Sequence, residues 1–320
     1  MQLKVMITCS YILLPTILSA QGGLPIQCWG GDETLAPSPP KGARFVDFDV
    51  AGAGGTFACG ITEDHRLYCW GDPTSSYNRG TIANYPRETL ATQVELGRDM
   101  GCILTPEGKP DCWGEFEETV IGVGYPNRSA SPPQGLISGR NFDAIYVEGS
   151  VACARETDGP IHCWGDVVHM NWDDEVRFAK IDTFFLGGPS ACWASKDSPE
   201  MSCALNTSYG PQDTIHLSLP TSLEQVRFEP FGHKIYTVDA EANLTVFKDG
   251  NRMESYSGYK DFIDRAFSFC HVFESSEVSC EDIKGRGGNE FSIGKFPPPA
   301  GTFVQRIEMN GDIACAQLKN

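Results

Sequence analysis

Cysteines recur along this chain in pairs about ten residues apart, with a turn sequence between the members and often Trp-Gly after the second. The clearest copy is Phe57 to Asp72, FACGITEDHRLYCWGD. If Cys59 opposes Cys69 in an antiparallel pair, Gly60 meets Tyr68, Ile61 meets Leu67 and Thr62 meets Arg66. That leaves Glu63-Asp64-His65 as a three-residue turn, a common hairpin length. Directly opposed residues bring their Cβ atoms close enough for a disulfide. The spacing predicts hairpins stapled across the middle, and their repetition constrains the whole fold.

The copies follow one plan: an apolar strand, then the hairpin. Strand Phe45 to Val50 precedes Cys59 and Cys69, and strand Val94 to Leu96 precedes Cys102 and Cys112. Strand Phe142 to Val147 precedes Cys153 and Cys163, and strand Ile181 to Leu186 precedes Cys192 and Cys203. A fifth unit lacks cysteines but keeps the frame, with Tyr236 and Val246 in their places and Phe247 for the tryptophan. Strand Phe262 to Phe267 precedes Cys270 and Cys280. The last unit, strand Phe303 to Met309 and then Cys315, has no second half; Ile26-Gln27-Cys28-Trp29-Gly30 near the start is a second half with no first. The expected bridges are Cys59–Cys69, Cys102–Cys112, Cys153–Cys163, Cys192–Cys203, Cys270–Cys280 and Cys28–Cys315.

A period near ~43 residues made only of short strands is the signature of propeller blades, not of a helical solenoid. The fold class expected is therefore all-β, a seven-unit β-propeller. A glycine lies four residues before the first cysteine position in five units, at Gly55, Gly149, Gly188, Gly232 and Gly311. Small residues directly precede that position in five, at Ala58, Gly101, Ala152, Ala191 and Ala314. Both are expected where strands crowd near a central axis. Within each hairpin the bridge points to one face and the adjacent tryptophan to the other, which suits a blade packed between two neighbours.

Residues 1–20, MQLKVMITCSYILLPTILSA, have the form of a secretory signal: Lys4, an apolar run from Tyr11 to Leu18, and Ser19-Ala20 before Gln21. No later run approaches the ~20 apolar residues of a membrane span. The expectation is a secreted, extracellular protein with one propeller domain over residues 21–320. Cleavage would remove Cys9 and leave twelve of the 13 cysteines, an even number for an oxidising compartment. It would also remove Lys4 from the 25 Lys and Arg that stand against 42 Asp and Glu. So acidic a surface repels phosphate backbones and anionic membranes, which argues against nucleic acid as a partner and against membrane insertion. Sequons at Asn127, Asn206 and Asn243 are glycosylation candidates in a eukaryotic secretory pathway.

No CxxC occurs, and ten-residue spacing across a hairpin suits a structural bridge better than a metal or redox site. Acids follow several hairpins, at Asp72, Glu115, Asp166 and Asp249; they read as turn-capping residues in preference to a cation-binding ring, which Gly31, Asn206 and Ile283 would interrupt. The six histidines, at 65, 162, 169, 216, 233 and 271, show no HxH or HExxH spacing. With no GxSxG, phosphate loop or EF-hand pattern either, the expectation is no catalytic residue, no metal and no cofactor.

Two phrases, Ala58-Cys59-Gly60-Ile61-Thr62-Glu63-Asp64 and Leu67-Tyr68-Cys69-Trp70-Gly71-Asp72, resemble the regulator of chromosome condensation repeat family. The nearest flavour is its cysteine-paired secreted branch, which includes the ectodomains of plant Crinkly-type receptor kinases. The resemblance implies a seven-bladed propeller closed by pairing of the N- and C-terminal strands. It departs from the family after Trp70-Gly71, where Pro73 to Gly80 reads PTSSYNRG in place of a Gly-Gln-Leu-Gly loop. The nuclear founder binds chromatin and drives nucleotide exchange; a secreted acidic chain is not expected to do either. Other relatives bind proteins, among them a secreted inhibitor of β-lactamases.

The function expected is non-catalytic binding, by a monomer, of an extracellular protein or glycan. The alternatives are an inhibitor of a secreted hydrolase, or an enzyme with scattered acids such as Asp72 and Asp166. The interval between Cys112 and Cys153, 41 residues, is longer than the others, which span 24 to 35. Its surplus falls between about Glu115 and Arg140 and contains Phe116, Val120, Ile121, Val123 and Tyr125, apolar residues that a purely solvated loop does not need. These five are the expected ligand contacts, set against Pro132-Pro133 and the Asn127 sequon, which suggest an exposed tip.

Overall fold

The computed structural model describes residues 23–30, 38–51, 57–71, 84–97, 100–114, 130–157, 159–165, 167, 180–187, 190–195, 198, 200–204, 206–207, 210–211, 214–218, 223–228, 234–248, 251–265, 268–282, 303–310 and 313–319. They form seven antiparallel sheets of three or four strands, with a two-stranded ribbon beside the fourth. The innermost strands touch in a closed ring: 45–50 against 93–96, then 142–148, 183–187, 223–228, 259–265, 304–310, and back to 45–50. The fold is a seven-bladed β-propeller. Blades are numbered 1 to 7 from the one that begins at Phe45.

Blade 7 is shared between the chain ends. Strand Ile26–Gly30 pairs with Ile313–Leu318, which pairs in turn with Val304–Asn310. The two orphan halves of the sequence are one hairpin, with Cys28 opposite Cys315. The other hairpins run in the register set by their cysteines: Gly60 faces Tyr68, Ile61 faces Leu67, and the Thr62 amide donates to the Arg66 carbonyl at 3.0 Å. The third turn position is left-handed in four hairpins, at His65 (φ 63°), Gly108 (φ 68°), Ala242 (φ 60°) and Ser276 (φ 71°). Only Gly108 adopts that conformation without steric penalty.

The six bonded pairs are 28–315, 59–69, 102–112, 153–163, 192–203 and 270–280, each with Cα atoms 4.0 to 4.1 Å apart. Blade 5 keeps the register without the bridge, Tyr236 facing Val246.

Each bridge is part of a seam. The face carrying Cys59 packs with Trp113 of blade 2, and Cys102 and Cys112 pack with Trp164 of blade 3. Cys153 packs with Trp193, Cys192 and Cys203 with Phe247, Cys270 with Trp29, and Cys315 with Trp70. The hydrophobic core is thus divided among the seams, the bridge of one blade seated against the aromatic ring of the next. In the seam between blades 5 and 6, where the bridge is missing, Tyr236, Val238, Leu244 and Val246 pack with Tyr259.

The small residues before the first cysteine have a more local reason than crowding at the axis. Ala58, Gly101, Ala152 and Ala314 lie directly across the hairpin from Trp70, Trp113, Trp164 and Trp29. A Cβ on Gly101 would sit 2.5 Å from Trp113 Cζ2. The indole lies over its cross-strand partner, so that partner must be small. In blade 5, where phenylalanine replaces tryptophan, Ile235 takes the position. Of the five glycines four residues before the first cysteine position, Gly149 lies among the described residues; it has open space around its Cβ direction and a φ of 60°. It is there to turn the chain between Glu148 and Val151.

Three features had no counterpart in the sequence pattern. Blades 4 and 5 carry fourth strands, Ile215–Ser218 and Asn251–Ser257. A single helical turn, Gln134–Ile137, breaks the long connection before blade 3. Arg140 Nη1 donates to the Leu136 carbonyl at 2.6 Å, and Leu136 and Ile137 pack on the seam between blades 2 and 3.

Candidate functional site

The expected contact residues Phe116, Val120, Ile121, Val123 and Tyr125 lie outside the described residues, as do Asn127 and the acids Asp72, Glu115, Asp166 and Asp249. The end of that connection is described, and it is fastened down. Ala130 is buried and its carbonyl accepts from Trp164 Nε1 at 3.0 Å, while Ser131 Oγ reaches the Cys112 carbonyl at 3.4 Å. Ala130 thus belongs to the seam of blades 2 and 3.

Of the sequons, Asn206 lies on the short strand 206–207. Asn243 begins a strand of blade 5 with its amide turned inward. Its Nδ2 donates to both carboxylate oxygens of Asp239 at 3.1 Å, and Asp239 Oδ1 also accepts the Asn243 and Glu241 amides. This arrangement closes the turn of the unbridged hairpin.

A dense polar cluster among the described residues is one that sequence reasoning missed. It stands on the innermost strands of blades 7, 1 and 2. The inner-strand residue opposite the first cysteine is Asp49 in blade 1, Glu95 in blade 2 and Glu308 in blade 7. Each is an acid between two apolar residues: Phe48-Asp49-Val50, Val94-Glu95-Leu96 and Ile307-Glu308-Met309. Because side chains alternate along a strand, the apolar neighbours take one face of the blade and the acids the other. Blades 7, 1 and 2 are consecutive, so the three carboxylates converge. Asp47 and Arg306, two residues earlier on their strands, join them.

Arg306 binds two of these carboxylates. Its Nη1 lies 2.6 Å from Asp47 Oδ1 and its Nε 2.9 Å from Glu308 Oε1, with the guanidinium over the Phe48 ring at 5.2 Å. Asp47 Oδ2 accepts the Val94 amide at 2.9 Å and Asp49 Oδ2 the Leu96 amide at 2.6 Å. Aspartates of blade 1 thus hold the inner strand of blade 2. Gln93 repeats the device one blade on, exchanging bonds of 2.8 and 2.9 Å with the backbone of Ile145. Gln317 of blade 7 donates to the Phe45 carbonyl at 2.7 Å.

Two of these carboxylates are strongly shifted. Burial, then the charge of Glu308, pushes Asp49 up to about 8. Burial, then Asp49 and Asp47, raises Glu95 well above the usual carboxylate range. Arg306 is held firmly charged, the four acids outweighing its own desolvation. Among the described residues no group of three or more His, Cys, Asp or Glu side chains is placed to hold a metal ion, and no helix is long and apolar enough to cross a membrane.

Residues 49–76 match the family described as Regulator of chromosome condensation (RCC1) repeat. The match spans the hairpin of blade 1, one repeat of the propeller. Solved structures share the fold over most of this chain's length. Prp20p from Saccharomyces cerevisiae is 14% identical, with a TM-score of 0.68 over 93% of this chain and 92% of that one. Human WBSCR16 is 12% identical, with a TM-score of 0.63 over 92% and 98%. The Crinkly WD40 ectodomain of the Arabidopsis thaliana receptor kinase ACR4 is 14% identical, with a TM-score of 0.59 over 85% and 91%. At these identities the RCC1 likeness establishes the architecture and leaves the ligand to be argued from this chain.

Proposed function

We propose that this chain is a secreted, non-catalytic binding protein, a rigid propeller that recognises an extracellular protein or glycan. Residues 1–20 act as its signal peptide and residues 21–320 form one domain. The observation that carries this reading is the placement of six disulfides inside the seams, one in every blade but the fifth. Such a core can be completed only where thiols oxidise, and it holds the blades rigid. The likeness to a receptor-kinase ectodomain agrees with that compartment. Prp20p binds Gsp1p and histones, which supports protein recognition as a use of this scaffold.

The binding surface is assigned to the connection between blades 2 and 3, with Phe116, Val120, Ile121, Val123 and Tyr125 as the contacts. Its far end is anchored at the seam of blades 2 and 3, where Ala130 accepts from Trp164 and Ser131 reaches the Cys112 carbonyl, and connections on rigid scaffolds commonly carry binding residues. Oxidatively folded residues 21–320 should capture a partner from native extracellular medium. Replacing 116–125 by a short Gly-Ser linker should abolish that capture. Unchanged capture by a folded variant would move the site elsewhere. An inhibitor of a secreted hydrolase is a special case, distinguished by a stoichiometric complex in which the partner's activity is lost.

A further inference from the structure

The cluster on the inner strands of blades 7, 1 and 2 has more carboxylates than its cation can satisfy. Arg306 bonds Asp47 and Glu308, which leaves Asp49 and Glu95 with no bonded cation among the described residues. Asp49 uses Oδ2 for the Leu96 amide of the next blade and Oδ1 for the Val50 amide at 2.7 Å. Glu95 Oε1 accepts only the Gln93 side-chain amide, at 3.1 Å. All lie on inner strands that pack directly against one another.

We propose that the joint between blades 7, 1 and 2 is a proton-sensitive latch. In the folded propeller near neutral pH, Asp49 and Glu95 hold at least one proton between them. When both ionise, their mutual repulsion, and that from Glu308, loosens the contact of strand 45–50 with strand 93–96.

The charged and titratable groups around the latch come from four strands. Strand 45–50 contributes Asp47 itself, and strand 304–310 contributes Arg306 and Glu308. Across from Glu95, strand 142–148 contributes Tyr146, which burial raises to about 12, and Glu148, with Asp143 and its ion-pair partner Arg155 behind them. The other strands packed here, 57–62, 100–104 and 313–318, carry no titratable side chain once their cysteines are bonded. Nothing among these groups supplies a second cation to Asp49 or Glu95.

The direction of the pH effect follows. An acid whose folded pKa lies above its unfolded value keeps, in the folded chain, a proton that the unfolded chain has released. Its contribution is complete below about 4, the unfolded value, and disappears as pH rises through the folded value, near 8 for Asp49. The slope is bounded at about tenfold in the unfolding equilibrium constant per pH unit for one proton. The propeller is therefore more tightly closed in mildly acidic surroundings than in alkaline ones, and the amides of Val94 and Leu96 report the change.

The test is urea unfolding of the disulfide-intact protein from pH 5 to 9, on the parent and on Asp49→Asn and Glu95→Gln. The expected result is a parent whose unfolding constant rises several-fold per pH unit across pH 5 to 8, and variants in which that rise is reduced threefold or more per unit. Equal slopes in parent and variants would overturn the latch, whatever the variants' absolute stability. Should a variant fail to fold, carboxyl-labelled NMR of the parent decides: titration of one of the pair above pH 6 supports the latch, and ordinary titration of both below pH 5 overturns it.

Discussion

Cys28 and Cys315 are 287 residues apart in sequence and bonded, with Cα atoms 4.0 Å from each other. They join the two half-hairpins of blade 7 and lie in the seam that also holds Trp70 of blade 1. A bridge over so long a loop restricts the unfolded chain far more than the ten-residue bridges do. The chain-entropy estimate is about 5.6 kcal/mol against about 2.7 for a local one, both upper figures. The double variant Cys28→Ser, Cys315→Ser should lose about 3–5 kcal/mol in urea unfolding. Hydrogen exchange should quicken first in strand 26–30. A loss no larger than that from Cys59→Ser, Cys69→Ser would show that closure rests on packing alone.

Gly101 faces Trp113, and its missing Cβ is what lets the indole lie across the hairpin. Gly101→Val should cost at least about 2–3 kcal/mol by overpacking. In a double-mutant cycle with Trp113→Leu, removing the ring should recover part of that loss, with a coupling energy above about 1 kcal/mol. Additive effects would mean the two residues do not meet.

Arg306 and Asp47 connect blade 7 to blade 1 across 259 residues. Arg306→Met leaves Asp47 and Glu308 without their cation. Breaking a buried pair costs about 3–5 kcal/mol, and the one-third exposure of this arginine reduces that to about 2–3. The loss should be smaller at pH 5 than at pH 8, because Asp49 and Glu95, raised by burial and partly offset by the charge of Arg306, are more fully protonated at the lower pH. Thermal melts at the two values check it.

Ala242 occupies the left-handed turn position of the one unbridged hairpin, at φ 60°. Ala242→Gly removes roughly 1–2 kcal/mol of backbone strain and adds roughly 0.5–1 of chain entropy to the unfolded state, so a net gain of about 0.5–1 kcal/mol is expected. The same change at His65 should gain less, because His65 Nδ1 lies 3.1 Å from the Ala91 carbonyl and that contact would be lost. Urea midpoints rank the two variants.

The sequence by itself determined the hairpins. A cysteine pair ten residues apart fixes register, turn length and which face each neighbour takes, so Gly60, Ile61 and Thr62 could be placed opposite Tyr68, Leu67 and Arg66 from spacing alone. The repeat of that unit, with half a hairpin at each end, determined the blade count and the closure. Tertiary structure alone decided what the strands meet. Ala58 and Gly101 look like generic small residues until Trp70 and Trp113 are seen lying across them. Asp49, Glu95 and Glu308 are each an acid between two apolar residues, separated in the chain by 46 and 213 positions. Periodicity along one strand says which way a side chain points. It does not say that blades 7, 1 and 2 are neighbours on a ring, and that adjacency brings the acids and Arg306 together. The helical turn at 134–137 and the outer strands 215–218 and 251–257 were hidden for a related reason. They are held by the blade each lies on, and no repeating pattern of their own marks them.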